Sequence, residues 1–374
     1  MSMPRRANKI DRWFLGATLL LVLVGFLLFS SASLGLLARD GLRFSDVAFS
    51  QLVLGIGGGL IALSILAHVH YRVYKRFAPH LFLAALFVTA LVFVPGVGIE
   101  LNGAHRWLNV AGVSFQPGEL LKLSFLIVVA WYYSTYHTKL RDIRYALGGV
   151  LGTLALAGTL LMLQPDTGTF VIMVAAGGAM VLAAGVRIQH LALLAGLAIL
   201  GLAVIAFSRP YLLDRVTTFL DPAGDPSGAG YQIKQSLIAV GSGGVVGRGF
   251  GQSVQKFSYL PEPMSDSIFS VAAEEFGFLG SVGIVVLYVF FAVRGLLIAA
   301  RAPDRFGGLL AVGIVILIVT QSFINIGAMV GILPLTGEPL VFMSQGGTSL
   351  LFALAGVGIV LNVSRYAKTT RRLR

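Results

Sequence analysis

Runs of roughly twenty apolar residues alternate with short polar segments along the whole chain, and roughly twenty residues is what an α-helix needs to cross a bilayer's hydrocarbon. Ten such runs can be drawn, over about 13–34, 48–69, 79–97, 116–135, 145–163, 168–185, 188–207, 267–293, 307–329 and 345–364. The pattern predicts an all-α polytopic membrane protein: ten transmembrane helices in one domain, 1–374, with tails at 1–12 and 365–374. The first run follows Arg5, Arg6, Lys9 and Arg12, as a secretory signal peptide would, and Ser31-Ala32-Ser33 weakly resembles a cleavage site. Its length and the spans that follow favour an uncleaved first span.

Only one connection is long, at about 208–266, and a long loop in a compact bundle is usually functional or disordered. Within it, Tyr231 to Val240 alternates Gln232, Lys234, Gln235 and Ser236 with Ile233, Leu237, Ile238 and Val240, a pattern that predicts an amphipathic helix at the membrane interface. The glycine-rich run from Gly241 to Gly251 lacks the Gly-Lys-Ser/Thr ending of a nucleotide-binding loop and has no strand before it. It reads as backbone that must come close to a ligand or to neighbouring helices. Gly55, Gly59, Gly148 and Gly152 read as helix-packing contacts.

Composition agrees with the pattern. Apolar residues make up 56% and charged residues 12% of the chain, against about a quarter charged in a soluble domain. The net charge of +12 is a topology signal. With ten spans both termini share one face, and most Lys and Arg fall there, including Arg72, Lys75, Arg76, Lys139, Arg141, Arg144, Arg187, Arg294, Arg301 and Arg305. By the positive-inside rule that face is cytoplasmic and the long loop is extracytoplasmic. The bases are dispersed over short segments rather than gathered on one face, so no nucleic-acid partner is expected. Absence of cysteine excludes disulfides, thiolate nucleophiles and thiol-ligated metals. Five of the six histidines sit at cytoplasmic helix ends and read as headgroup-level polar groups.

Candidate chemistry gathers at the outer boundary. Asp266 stands where the long loop enters an apolar helix, a costly place for a carboxylate unless it is solvated, paired or used; it can serve as an N-cap, a catalyst or both. Glu119 and Lys122 share one helix face behind Pro117, either as a neutralising pair or as site groups. Asp166, in Gln164-Pro165-Asp166-Thr167-Gly168-Thr169, is a helix cap or a site group. Arg106, Arg215, Gln235, Lys256 and Glu262 lie in the same outer segments, with Glu274 and Glu275 just inside the following helix. A desolvated carboxylate can accept a proton from an attacking alcohol, and arginines and lysines suit pyrophosphate oxygens. The substrate class this suggests is an amphiphile with a buried tail and an anionic head.

The segments Asn102 to Lys122, Gln164 to Thr169, Arg215 to Pro222, Gln235 to Glu275 and Asn325 to Arg365 resemble the SEDS family (shape, elongation, division and sporulation) over nearly the whole chain. Gly251 to Lys256 running into Tyr259-Leu260-Pro261-Glu262, Leu335-Thr336-Gly337, and Asn362-Val363-Ser364-Arg365 lean toward its division branch, FtsW, rather than its elongation branch, RodA. The resemblance implies an inverting peptidoglycan glycosyltransferase that polymerises lipid II on the outer face of the bacterial plasma membrane. It also implies a class B penicillin-binding transpeptidase and other division proteins as partners, with a divalent cation, Mg or Mn, as a candidate cofactor. Asp266 matches the family's essential carboxylate. Arg106, Glu119, Lys122, Asp166, Arg215, Gln235 and Ser344 fall on motif positions. Met264, Gly118 and Gln345 depart from the usual His, Ser and Tyr, so a His-assisted relay is not expected. The competing expectations are an elongation polymerase, a lipid II flippase and a non-enzymatic scaffold.

Overall fold

The computed structural model of the chain describes residues 9–39, 49–101, 104–110, 113–208, 210–225 and 228–367. Of the residues named above, Arg5, Arg6 and Asn102 lie outside that set.

Each of the ten apolar runs is a helix. In chain order they begin with α1 (Arg12–Arg39), α2 (Ser50–His68, wound as a π-helix as far as Gly58) and α3 (Arg72–Ala90). A three-stranded antiparallel sheet follows, β1 (Gly98–Leu101), β2 (Ala104–Val110) and β3 (Val113–Phe115). Then come α4 (Pro117–Thr135), α5 (Ile143–Leu163), α6 (Thr167–Ala183) and α7 (Ile188–Ser208). The long loop contains α8 (Pro210–Leu220), α9 (Ala229–Ser242) and α10 (Gln255–Ser258), and the chain closes with α11 (Ile268–Ala300), α12 (Arg305–Met329) and α13 (Gly347–Arg365).

Seven of the helices, α1, α2, α3, α5, α11, α12 and α13, are each long and apolar enough to span a bilayer. Thr167–Ala183 and Ile188–Gly201 are shorter apolar helices, and α4 carries the charges of Glu119 and Lys122. Large apolar side chains such as Leu23, Ile61, Phe87, Leu156, Ile199 and Val286 point away from the protein, a belt that only lipid can cover at acceptable cost. The chain is a multi-pass membrane protein.

The bundle is organised on α12, which packs against α4, α6, α11 and α13. Small residues let the helices close up, as expected without a hydrophobic drive between spans. A Cβ on Gly59 would sit 2.6 Å from Leu354 Cδ1, and one on Gly55 3.2 Å from the Gly347 Cα, so these two glycines seat α2 on α13. A Cβ on Gly148 would meet only the Tyr132 hydroxyl, at 3.7 Å, and one on Gly152 would meet nothing within 4 Å, so the close packing expected of that pair is not found.

The glycine-rich run packs on a helix. At Gly277 (φ +66°) α11 breaks, freeing carbonyls above and amides below the break. The run supplies the missing partners: Arg248 and Gly249 amides donate to the Glu274 and Glu275 carbonyls at 3.0 and 2.9 Å, and the Phe278 and Leu279 amides donate to Gly244 and Val245 at 2.9 and 3.1 Å. Cβ atoms at Gly247 or Gly277 would fall 2.1 and 2.3 Å from facing backbone. Only glycine permits that approach.

Candidate functional site

At one end of the bundle the starts of α4, α6 and α11 meet the end of α12 beneath the α12–α13 connection. The sheet aims a guanidinium at this point. Along β2 the exposed His105 and Asn109 alternate with the inward Arg106 and Leu108, the two-residue period of a strand. Arg106 Nε donates to the Gln164 carbonyl at 3.4 Å, and its Nη2 donates to the Pro165 carbonyl.

Asp166 caps α6, its Oδ1 accepting from the Thr169 amide at 3.4 Å, and it is almost fully buried. Glu119 and Lys122 are both buried and form an ion pair at 2.9 Å, with Lys122 Nζ also donating to Gln321 Oε1 at 3.0 Å. Asp166 is therefore a helix cap and Glu119 with Lys122 a neutralising pair, and all three act on one further acid. Glu338, buried in the α12–α13 connection, feels the charges of Asp166, Lys122, Glu119 and Arg106 and accepts from Thr169 Oγ1 at 3.3 Å. Its carboxylate fills the space a side chain at Gly168 would take, since a Cβ there would lie 2.4 Å from Glu338 Oε1.

Asp266 is half buried two residues before α11. Its Oδ1 accepts from the Ser265 hydroxyl at 3.1 Å. The N-cap of α11 is Ser267, with no side-chain cap bond, so Asp266 is not the cap. Asn325 Nδ2 donates to the Asp266 carbonyl at 2.8 Å and to the Glu338 carbonyl at 2.9 Å, tying the two acidic segments to the end of α12. Gly337 (φ +72°) lies between Asp266 and Arg215: a Cβ on it would be 3.8 Å from Asp266 Oδ2 and 3.9 Å from Arg215 Nη2. Arg215 Nη1 in turn donates to the carbonyls of Leu335 and Thr336 at 3.2 and 3.0 Å.

Burial pushes the Asp266 carboxyl above its ordinary value, opposed by the Ser265 hydrogen bond and by Arg215 and Arg106. Glu262, in a left-handed turn conformation (φ +46°), is raised by partial burial and by the Asp266 charge. Beside the acids runs an apolar groove of about 290 Å³, with Phe170, Val171, Leu212, Val216 and Pro334 among its walls and Arg215 also lining it.

Three residues expected at the site have other surroundings. Lys256 is fully buried with Nζ on Glu275 Oε1 at 2.7 Å and on Ser31 Oγ at 2.8 Å, a network that ties the loop to α1 and α11. Ser344 uses its hydroxyl to accept from the Leu340 amide at 2.8 Å and to donate to the Ser265 carbonyl at 2.5 Å, so it fixes the backbone on which Asp266 rides. Gln235 is half buried on α9, which docks on α11 and α12 through Ile233, Ser236 and Ala239. One turn earlier, Gln232 Nε2 donates to Ser267 Oγ at 3.1 Å, beside Asp266.

Sequence reasoning missed Glu338 and Asn325. The signal for Glu338 was present: it is an isolated acid in the otherwise apolar stretch Leu333 to Phe342, the same argument that singled out Asp266.

Glu338 carries a pH-dependent stability. Burial first, and then the Asp166 charge, push its carboxyl from 4.5 up to about 8. The folded state therefore holds a proton that the unfolded chain releases. The resulting stability is fully present below about pH 4.5 and is lost as pH rises to about 8. Thermal unfolding of the protein in nanodiscs across that window should show the loss, and Glu338→Gln should flatten it; an unchanged profile in the variant would refute the assignment.

The sequence signature of the FtsW/RodA/SpoVE family, cell cycle proteins, matches residues 11–369. This chain belongs to that family. It is 40% identical over 368 residues to stage V sporulation protein E of Bacillus subtilis (strain 168), covering 98% of this chain and 100% of that protein. It is 36% identical over 363 residues to a protein of Geobacter sp. (strain M18) named probable peptidoglycan glycosyltransferase FtsW, covering 96% and 98%. Among solved structures, a chain from work on the structural coordination of polymerization and crosslinking by a peptidoglycan synthase complex superposes with a TM-score of 0.78 at 29% identity, covering 96% of this chain and 99% of that one. The rod shape determining protein RodA of Thermus thermophilus superposes with a TM-score of 0.68 at 27% identity, covering 96% and 98%. The likeness spans the whole bundle, including every element that builds the site.

Proposed function

We propose that this family member is a peptidoglycan glycosyltransferase that polymerises lipid II on the outer face of the plasma membrane, with both termini in the cytoplasm, and that it serves septal wall synthesis. The observation that carries the reading is Asp266: a half-buried carboxylate beside Arg215 at a membrane boundary, near an apolar groove that the same arginine lines. That is the surface an amphiphile with a lipid tail and an anionic head requires.

In this reading Asp266 takes the proton of the acceptor sugar's 4-hydroxyl as that oxygen attacks the anomeric carbon of the lipid-linked donor. The bond from the anomeric carbon to pyrophosphate breaks with inversion, and lipid pyrophosphate leaves with its charge. Arg106 and Arg215, anchored by backbone carbonyls and so already oriented, stabilise that charge. Lys122 acts one layer deeper by holding Glu119 and Gln321, with Glu338 and Asp166 completing the polar floor. Lys256 keeps the loop folded, Ser344 positions Asp266, and α9, which carries Gln235, borders Asp266 through Gln232.

Among the described residues no three carboxylate or imidazole groups cluster as metal ligands. Glu262 and Asp266 fit the lesser demand of Mg or Mn, which binds through one or two carboxylates together with substrate phosphates. A cation held there would neutralise pyrophosphate charge.

The relatives named above support the polymerase over its rivals, and the solved complex that joins polymerisation to crosslinking supports a class B penicillin-binding transpeptidase as partner. A flippase would need a path through the bundle. The buried carboxylates, Glu119, Asp166, Glu274, Glu275 and Glu338, instead collect at one end, and the break seen in α11 is filled by glycine backbone. Liposomes carrying the protein and labelled lipid II distinguish the two: the reading predicts glycan strands and no translocation that depends on Asp266, and translocation lost in Asp266→Asn would overturn it.

A further inference from the structure

The opposite end of the bundle holds a second polar cavity. On the face assigned to the cytoplasm, the start of α3, the end of α4 and the start of α12 enclose a pocket of about 540 Å³ lined by Arg72, Lys75, Arg76, His137 and Arg305. Its counter-charge is Asp304, and that carboxylate is already engaged. Its Oδ2 pairs with Arg72 at 3.0 Å and accepts from the Tyr71 hydroxyl at 2.8 Å, while Oδ1 accepts from the Gly307 amide at 2.9 Å. Lys75, Arg76 and Arg305 form no ion pair among the described residues. Lys75 Nζ lies 5.9 Å from the centre of the Phe306 ring, and the Arg76 guanidinium 5.5 Å from that of Phe77, so aromatic faces rather than carboxylates meet their charged ends.

Asp304 and Arg305 also line a second cavity, a slot of about 640 Å³ whose other walls include Leu296, Ala299, Ala300, Leu309 and Val312. Three cations converging on one concavity repel one another and favour an anion. Bases that merely set topology, such as Arg141 and Arg187, need no cavity and no adjoining apolar slot. A basic mouth beside an apolar-walled slot, with Asp304 and Arg305 in the wall of both, matches an anionic amphiphile.

We propose that this pocket is a binding site for an anionic phospholipid of the inner leaflet, its phosphate held by Lys75, Arg76 and Arg305 and one acyl chain lying in the slot. The inference rests on the bundle's orientation and is independent of the chemistry assigned to Asp266.

Native mass spectrometry of the full chain, titrated with phosphatidylglycerol or phosphatidylcholine, tests it. The wild type should retain one phosphatidylglycerol at concentrations where phosphatidylcholine is lost. Each base near the surface contributes roughly a fivefold factor, so Lys75→Gln/Arg76→Gln/Arg305→Gln should weaken phosphatidylglycerol about a hundredfold. Ala300→Trp, which fills the slot and leaves the charges alone, should weaken the long-chain lipid more than its dihexanoyl analogue. Matching size-exclusion profiles and melting temperatures show that both variants are folded. Wild-type retention by the triple variant overturns the site, equal losses of both chain lengths in Ala300→Trp overturn the slot, and displacement of the lipid by equimolar inorganic phosphate shows a site for free phosphate instead.

Discussion

Asp266→Asn is expected to lower glycan polymerisation from lipid II by about 10²- to 10⁴-fold, the range a positioned general base contributes. The variant should keep its fold, because Asp266 caps nothing: α11 begins at Ser267 without a side-chain cap, and the Ser265 and Asn325 contacts to the segment survive an amide. The same assignment fixes a pH profile. The base works only when ionised, and burial lifts its carboxyl above the ordinary range. Wild-type turnover should therefore fall, as the solution is acidified, at a higher pH than an exposed aspartate would give. Purified wild type and variant compared from acid to neutral pH check both points, and an Asp266→Asn protein that keeps the wild-type acid limb would remove Asp266 from the reaction.

Lys256→Met is expected to cost stability rather than chemistry, by about 3–5 kcal/mol, the range for removing one partner of a buried ion pair. Lys256 and Glu275 are both fully buried. Glu275 Oε1 receives Lys256, Ser31 and, at 3.4 Å, the Ser253 amide, and Oε2 has no partner among the described residues, so loss of the ammonium leaves a desolvated charge without its counter-ion. Pairing Lys256→Met with Glu275→Gln should restore most of the loss, because the amide carries no charge to strand. Chemical unfolding in detergent of the wild type, the single variant and the double variant makes the comparison; a single variant as stable as the wild type would mean the pair is not holding the loop.

The two substitutions also mark how far the sequence carried. The ten spans were legible because lipid imposes one length and one polarity on every helix, and two helix starts followed Pro117 and Asp166 closely. The sheet at Gly98 to Phe115 was not, since its strands are short and its pattern competes with a polar loop. Asp266, Arg215 and Arg106 could be named from charge at a boundary. What charge could not say is which bases meet which acids. Lys256 is ten residues before Asp266 in the chain, yet its amino group went to Glu275 and Ser31. Glu338 is seventy-two residues after Asp266, and Asn325 fastens the backbone of both. Pairing of that kind is decided by how α6, α11 and α12 cross, and one chain's residue spacing does not encode it locally.

The most direct test of the central claim is to give fluorescent lipid II to the purified protein in nanodiscs, with a class B penicillin-binding transpeptidase whose own active site is blocked by a β-lactam. The account predicts a ladder of long, uncrosslinked glycan strands from the wild type and a yield lower by about 10²- to 10⁴-fold from Asp266→Asn, although both bind lipid II equally well. Lipid II left intact by the wild type, or the same ladder from both proteins, would contradict it.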